Sequence, residues 1–141
     1  RPNDRNTRDY SWAPERRYRL TIEPGATAGW WRGSIEDMAT GERTTIRELD
    51  GGGNRLATPM VWAEVFAPCD GPGVVINWSD LQVGVAPESW HTIDTVRANY
   101  QSYADGGCSN TNAAAFPGRG FVQMTSSQRV NPQGAIIRTV E

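Results

Sequence analysis

Short runs of alternating polar and apolar residues, separated by turns that contain glycine or proline, constrain the fold of this chain most. The run "RRYRLTIEP" alternates Tyr18, Leu20 and Ile22 with charged or hydroxyl-bearing neighbours and ends at Pro24. No window holds a sustained helical period with capping residues. Recurrent short strands with turn signals between them are typical of an antiparallel β-sandwich or barrel. The sequence therefore predicts an all-β fold.

The other predicted strands follow the same pattern along the chain. They are "WWRGSIED", "ERTTIREL", "MVWAEVFA", "GVVINW", "DLQVGV", "IDTVRANYQSY", "GFVQMTS" and "GAIIRTV". The run at residues 60–67, "MVWAEVFA", is apolar on both faces except for Glu64, which predicts a central strand. Residues 1–14 lack periodicity and predict an irregular N-terminal arm. The rest of the 141-residue chain, residues 15–141, fits one domain.

The two cysteines bear on the compartment of the protein. Cys69 and Cys108 lie in turn-rich polar segments, with no third cysteine and no nearby histidine. Such a pair is poor material for a closed zinc site, which needs about four ligands. A disulfide between them stabilises by about 4 kcal/mol on the chain-entropy estimate; two unrelated free thiols are the alternative. The polar N-terminus is expected either of a cytosolic chain or of a chain whose leader has been removed. The cysteine pair favours the second interpretation, a secreted and oxidised domain.

Charge and composition narrow the classes of partner. The formal net charge of −2 favours neither a nucleic acid nor a membrane surface. No apolar run approaches the roughly 18–20 residues that a membrane span needs. All 14 basic residues are arginine, which hints at a GC-rich genome such as that of an actinobacterium. Asp105, Asn110 and Asn112 carry oxygens that calcium favours, but turns use these residue types for backbone reasons, so no metal and no cofactor are expected.

A catalytic set is hard to assemble from these residues. Glycoside hydrolysis usually needs two carboxyl groups about 5–10 Å apart, whereas Glu64 stands alone and the adjacent Glu36 and Asp37 face opposite ways on a strand. The one histidine, His91, has no nucleophile-elbow pattern around it and reads as an ordinary loop residue. Enzyme activity stays open, with a non-enzyme favoured. For Glu64 the two interpretations are an ion pair with an arginine such as Arg97, or a polar anchor in a groove that binds sugar hydroxyls.

Six tryptophans form the strongest candidate for a binding site. Aromatic rings stack on the apolar face of a pyranose while nearby polar groups hold its hydroxyls. Because neighbouring strand residues point to opposite faces, Trp31 is assigned inward with Ile35, and Trp30 outward on a polar face. Trp30 and either Trp12 or Trp90 are expected to be exposed. The predicted ligand-binding residues are Trp30, Trp62, Glu64, Trp90, Arg97, Asn99 and Gln101.

With the strands placed, a resemblance to a protein family emerges. The runs "YRLTIEPGATAGWWRGSIEDMATGERTTIREL", "VWAEVFAPCDGPGVVINWSDLQV" and "VRANYQSYADGGCSNTN" resemble secreted actinobacterial proteins of uncharacterised function. More distantly, they resemble bacterial sandwich domains found beside carbohydrate-active modules. The shared pattern covers roughly residues 15–112: a strand, a W-x-G hairpin with a "TGE" turn, and a strand with aromatics and a glutamate. The resemblance implies a jelly-roll or concanavalin- and lectin-like β-sandwich outside the cell, and offers no established active site.

Three hypotheses for function follow. The leading one is a secreted, non-catalytic β-sandwich that binds a polysaccharide or cell-surface glycan through exposed aromatics. The second is an extracellular structural protein that assembles as a homo-oligomer through its N-terminal arm or a sheet edge. The third is a glycan-active hydrolase or lyase that uses Glu64.

Overall fold

The computed structural model describes residues 8–86, 89–118 and 120–139 of the chain. These residues contain β-strands and one short 3-10 helix, Tyr103–Asp105, and no α-helix. The strands are β1 Tyr18–Pro24, β2 Trp30–Asp37, β3 Arg43–Asp50, β4 Val75–Ser79, β5 Gln82–Ala86, β6 Ser89–Thr92, β7 Thr95–Arg97, β8 Asn112–Phe116, β9 Gly120–Met124 and β10 Ile136–Arg138. All pairings are antiparallel, so the predicted all-β antiparallel class is confirmed.

The chain divides into two compact units, Arg1–Pro59 and Met60–Glu141. The first holds a three-stranded sheet in the order β1-β2-β3. The second holds a three-stranded sheet in the order β4-β9-β8 and two two-stranded sheets, β5-β6 and β7-β10. A single sandwich domain over residues 15–141 stays a prediction.

The register of the first sheet confirms the assignment of faces along β2. Trp31 lies opposite Leu49 of β3, and Ile35 lies opposite Leu20 of β1. Directly opposed residues share a face, so Trp31 and Ile35 lie on the apolar side as predicted. Ile35 is buried, whereas Leu20 and Ile22 on the neighbouring β1 are exposed. The apolar residues of β1 are therefore exposed within the described residues, although alternation of this kind is typical of a half-buried strand.

The opposite face of this sheet is polar and cross-linked. Two ion pairs join neighbouring strands: Arg32 Nη2 to Glu48 Oε1 at 2.5 Å, and Arg19 Nη1 to Glu36 Oε2 at 3.4 Å. A third, Arg43 Nη2 to Glu23 Oε1 at 2.8 Å, joins the outer strands β3 and β1 across β2. Arg43 also donates from Nε to the hydroxyl of the buried Ser34. Long arginine stems cover this face, which is why its short residues are less exposed than the isoleucine and leucine of β1.

The turn between β2 and β3 is fixed by Asp37, which is 7% exposed. Its Oδ1 accepts a hydrogen bond from the Ala39 N–H at 2.9 Å, and its Oδ2 lies 2.8 Å from Arg16 Nη2. Gly41 has a φ of +73° and donates its N–H to the Asp37 carbonyl. Glycine occupies this position because a left-handed conformation costs glycine least.

The described part of the N-terminal arm, residues 8–14, contains no strand and packs on the first sheet. Arg8 Nη1 donates to the Thr45 carbonyl of β3 at 2.9 Å. The Tyr10 ring meets the Tyr18 ring edge to face, with centroids 5.8 Å apart. Loss of solvent around Tyr10, followed by the influence of Tyr18, raises the pKa of the Tyr10 hydroxyl. The predicted arm residues 1–7 lie outside the described residues.

The core of the second unit forms around Ala98, Phe121 and Ile137. Val96 and Tyr100 pack against this cluster, so every second residue from Val96 to Tyr100 faces the core, as the alternation of the run "IDTVRANYQSY" predicts. The alternate residues of the same run are exposed. However, the strand itself ends at Arg97, because the backbone beyond it pairs with the loop before β10 through bonds such as Ala98 N–H to the Ala135 carbonyl.

Two strands were missed and one predicted strand is absent. β6 contains His91, which the sequence placed in a loop, and β8 has the sequence "NAAAF", whose alanines carry little β-propensity. Residues 60–67 form no strand. Met60, Trp62 and Phe66 are exposed there, so the prediction of a central strand is wrong. Apolar composition indicates that a segment can be buried. It does not determine whether a neighbouring strand is present to pair with it.

The predicted disulfide is confirmed. Cys69 and Cys108 are bonded, with their Cα atoms 5.5 Å apart and 39 positions apart in sequence. The Asn110 side chain donates from Nδ2 to the Cys69 carbonyl. The bond thus ties the turn before β4 to the loop before β8 within the second unit.

Candidate functional site

The turn between β1 and β2 places Trp30 at the rim of a recess in the first unit. The Trp30 N–H donates to the Thr27 carbonyl at 3.0 Å, and the Gly25 N–H donates to the Trp30 carbonyl at 2.7 Å. Gly29, with a φ of +82°, turns the chain into β2 directly before Trp30. The recess has a volume of about 160 Å³, and Trp30 and Trp31 both line it. Trp30 is 39% exposed, as predicted for the residue on the polar face.

The second tryptophan of the pair is held in place by the glycine loop at residues 51–53. Trp31 Nε1 donates to the Gly53 carbonyl at 2.9 Å. A Cβ added to Gly51 would lie 2.6 Å from Trp31 Cδ1, so only glycine lets the backbone pass this close to the indole. The glycine loop thus positions Trp31.

The chemistry of the recess suits an uncharged ligand. Thr27 and Asn54 line it beside the two indoles, and their side chains hydrogen-bond to no described residue. No ionisable side chain lines it among the described residues. An aromatic face beside free hydroxyl and amide groups is the combination that binds a pyranose ring.

The other predicted ligand-binding residues belong to the second unit, and none of them is among the residues that line this recess. Trp62 and Glu64 lie in the second unit, on the exposed segment of residues 60–66. The premise that Glu64 is a charge inside a buried strand is wrong, because Glu64 is exposed and the segment is not a strand. No ion pair of Glu64 with Arg97 or another described arginine is present.

Trp90, the third predicted aromatic, lies on β6 opposite Gly84 of β5. It is 57% exposed. A Cβ added to Gly84 would lie 3.4 Å from the Trp90 ring, so the indole lies across the glycine of the neighbouring strand. This places Trp90 on a two-stranded sheet, and Trp90 is not among the residues that line the recess at Trp30.

Arg97, Asn99 and Gln101 follow one another on the exposed side of the chain at and after β7. Asn99 Oδ1 accepts a hydrogen bond from Gln133 Nε2 at 2.7 Å, and Gln101 Nε2 donates to the Asp105 carbonyl. Gln101 lines a second cleft, of about 260 Å³. Of the predicted residues in this run, Gln101 therefore lies at a cavity, and Asn99 supports it through Gln133.

The other residues of this second cleft were not among the predicted ligand-binding residues. Tyr100, Tyr103, Arg129 and Gln133 line it, near the disulfide-bonded Cys108. Arg129 lies in the non-periodic run "SSQRVNP", 29 positions after Tyr100, and nothing in the local pattern joins the two. The one feature of the sequence that could have indicated this cleft is Tyr103, two positions after the predicted residue Gln101.

Two of the candidate calcium ligands, Asp105 and Asn112, use their side-chain oxygens in hydrogen bonds within loops. Within residues 8–86, 89–118 and 120–139, no three His, Cys, Asp or Glu side chains are grouped as metal ligands. Asp105 Oδ2 accepts a hydrogen bond from the Ser102 hydroxyl at 2.5 Å, and Asn112 Oδ1 accepts from the Val130 and Asn131 N–H groups at 3.2 Å each. These oxygens hold loops, in agreement with the interpretation as turn residues.

Comparisons with known proteins add no relative. A scan against protein-family models finds no matching family, and searches of curated proteins and of solved structures find no match. The resemblance to secreted actinobacterial proteins stays a prediction. Among the residues that the structure describes, no helix has the length and apolar character needed to cross a membrane.

Proposed function

We propose that this chain is a secreted, non-catalytic module that binds a neutral glycan in the recess formed by Trp30 and Trp31. The observation that carries the proposal is an exposed indole beside a fixed one, with free Thr27 and Asn54 side chains at the same recess. The disulfide supports an oxidising, extracellular setting.

The two tryptophans have different roles in this proposal. Trp31 is anchored by its bond to the Gly53 carbonyl and forms a rigid wall. Trp30 keeps 39% of its surface exposed and offers the face on which a sugar ring stacks. A wall fixed before the ligand arrives reduces the entropy lost on binding.

The test is binding of neutral cell-wall and plant polysaccharides, screened on a glycan array and quantified by isothermal titration calorimetry. Trp30→Ala should weaken binding by about tenfold, because loss of a stacked aromatic face removes roughly 1.5 kcal/mol. Trp12→Ala is the matched control, since Trp12 is 67% exposed on the arm and does not line the recess. Equal effects of the two variants, or no binding of any neutral glycan, would contradict the proposal.

A second candidate function, self-association, is favoured by the segment of residues 60–66. Its N–H groups from Val61 to Phe66 donate to no described residue, although the burial of its side chains alternates as in a strand. Trp62 is 63% exposed and Phe66 is 87% exposed. A segment with unpaired N–H groups and large exposed apolar side chains is a template for strand addition.

The sequence of this segment is complementary to itself. In an antiparallel pair with a second copy, centred on Ala63, Met60 lies opposite Phe66 and Trp62 lies opposite Glu64 of the other chain. This two-fold register puts sulfur against an aromatic ring and opposes no two carboxylates directly. We therefore propose the segment, rather than the arm, as the edge for assembly, since the described part of the arm packs on its own sheet.

Light scattering across a concentration series tests this candidate. One strand pair is smaller than the roughly 800 Å² per partner of stable complexes, so a weak, concentration-dependent dimer is expected. Phe66→Lys should abolish it, and the double variant Met60→Glu/Phe66→Lys should recover part of it, because the register opposes the two substituted positions. A wild-type monomer at high concentration rules the candidate out.

The hydrolase hypothesis gains no support from the surroundings of Glu64. The residue is exposed on an open segment, and neither cavity described above includes it.

A further inference from the structure

The second cleft contains a guanidinium group that is fixed by neutral partners alone. Arg129 Nε donates to the Thr111 carbonyl at 3.0 Å, and its Nη2 donates to the Cys108 carbonyl at 2.7 Å and to the Thr111 hydroxyl at 2.8 Å. No described carboxylate lies within ion-pair distance of Arg129. Its Nη1 hydrogen-bonds to no described residue, so one charged nitrogen with two hydrogens stays available.

The arginine lies on an equally well-fixed aromatic ring. Arg129 Cζ is 4.0 Å from the centroid of the Tyr100 ring. The Tyr100 hydroxyl donates to the Asn131 carbonyl at 2.9 Å and accepts from the Ala113 N–H at 3.0 Å. Hydrogen bonds therefore fix both the guanidinium and the ring of the stack. The charge of Arg129 is positioned before any ligand binds.

The remaining free groups of the cleft are mostly donors. Gln133 uses its Oε1 to accept from the Tyr100 N–H and donates one hydrogen to Asn99, so its second amide hydrogen is left. Tyr103 is 73% exposed, and its hydroxyl hydrogen-bonds to no described residue. A single uncompensated cation beside neutral donors matches one anionic acceptor on a ligand.

We infer that this cleft binds the carboxylate of an acidic sugar, with Arg129 as the cationic contact and Tyr103 as the exposed aromatic contact. The inference rests on the proposed glycan-binding function and adds a second site with a different ligand class. The recess at Trp30 has no ionisable lining and takes a neutral ring, whereas this cleft selects a uronate unit by charge. A chain with both sites would bind polysaccharides that combine neutral and acidic sugars.

A matched pair of ligands tests the inference: polygalacturonate and its fully methyl-esterified form, which differ in the charge of each sugar. The wild-type chain should bind the acid form more tightly in 10 mM salt, and the preference should shrink at 150 mM salt, because the Debye length falls from roughly 30 Å to about 8 Å. Arg129→Gln should remove the preference. Equal binding of the two polymers by the wild-type chain, or no binding of the acid form, overturns the inference.

A second pair of variants keeps the test decisive if Arg129→Gln fails to fold. Tyr103→Glu and Tyr103→Gln are nearly identical in shape and leave the bonds of Arg129 intact. Tyr103→Glu should bind polygalacturonate about fivefold more weakly than Tyr103→Gln, from repulsion at close range in water, with no difference for the ester. Equal affinities of the two variants for the acid form overturn the inference, as does tighter binding of dextran sulfate than of polygalacturonate.

The same data separate this inference from the proposed function. Binding of the ester that Trp30→Ala weakens, together with equal affinities of Tyr103→Glu and Tyr103→Gln for the acid form, supports the recess while the cleft fails. If the wild-type chain binds no neutral glycan but prefers the acid polymer, and Arg129→Gln abolishes that preference, the cleft is supported and the recess fails.

Discussion

Substituting Gly51 by alanine tests how the recess is built, because this glycine lies directly against Trp31. The added Cβ would lie 2.6 Å from Trp31 Cδ1 and 3.1 Å from Nε1. Ordinary contacts between such atoms begin near 3.4 Å, so the indole or the loop must move by close to an ångström. The indole cannot move freely, since its Nε1 is bonded to the Gly53 carbonyl.

The magnitude follows from two contributions. Overpacking of this kind costs about 1–3 kcal/mol, and displacement of the indole weakens a hydrogen bond worth about 1 kcal/mol. Gly51→Ala should therefore lower the free energy of unfolding by about 2–4 kcal/mol. It should also weaken glycan binding at the recess, because Trp31 forms one of the walls.

Gly53→Ala is the matched control two positions away. A Cβ there meets no atom within 4 Å, and Gly53 has no positive φ, so its unfolding free energy should change by less than about 0.5 kcal/mol. The measurement is urea unfolding followed by tryptophan fluorescence, with calorimetric titration of the bound glycan. Equal stability of the two variants would show that the loop does not clamp Trp31 and would refute the reasoning.

Three further predictions concern the bonds that hold each unit. Replacing Cys69 and Cys108 together by alanine should lower the unfolding free energy by about 4 kcal/mol, measured by thermal and urea unfolding against the oxidised wild type; no change would contradict the role of the bond. Asp37→Ala should cost about 1–3 kcal/mol, whereas Asp37→Asn, which keeps the turn hydrogen bond and loses a half-exposed ion pair, should cost under about 1 kcal/mol; equal costs would assign the effect to charge alone. Gly107→Ala should cost about 3 kcal/mol, because the new Cβ would overlap the backbone carbonyl of Gln101, and hydrogen exchange should show the loop opening; a neutral effect would contradict the loop geometry.

Period-two patterns predicted the features that depend on one strand at a time. The opposed faces of Trp30 and Trp31 follow from pleating alone, and so does the inward row of Val96, Ala98 and Tyr100. The disulfide followed from the presence of two cysteines and no other partner for them. In each case the physical constraint is contained in the local sequence.

Features that depend on a distant partner were not predictable from the same patterns. The segment of residues 60–66 has the composition of a central strand, yet no described strand pairs with it. The second cleft requires Arg129 to stack on Tyr100, and this contact depends on how the loops around β10 return to β7. Sequence spacing does not contain the path of those loops.

The central claim is that Trp30 contacts the ligand while Trp31 supports it. Nuclear magnetic resonance of the indole N–H signals, titrated with the neutral oligosaccharide that binds best and assigned by Trp30→Phe and Trp31→Phe, tests it most directly. The Trp30 signal should shift most, and the Trp31 signal should shift less, because Trp31 Nε1 is bonded to the Gly53 carbonyl. Saturable shifts at Trp12, Trp62 or Trp90 with an unchanged Trp30 signal would contradict it.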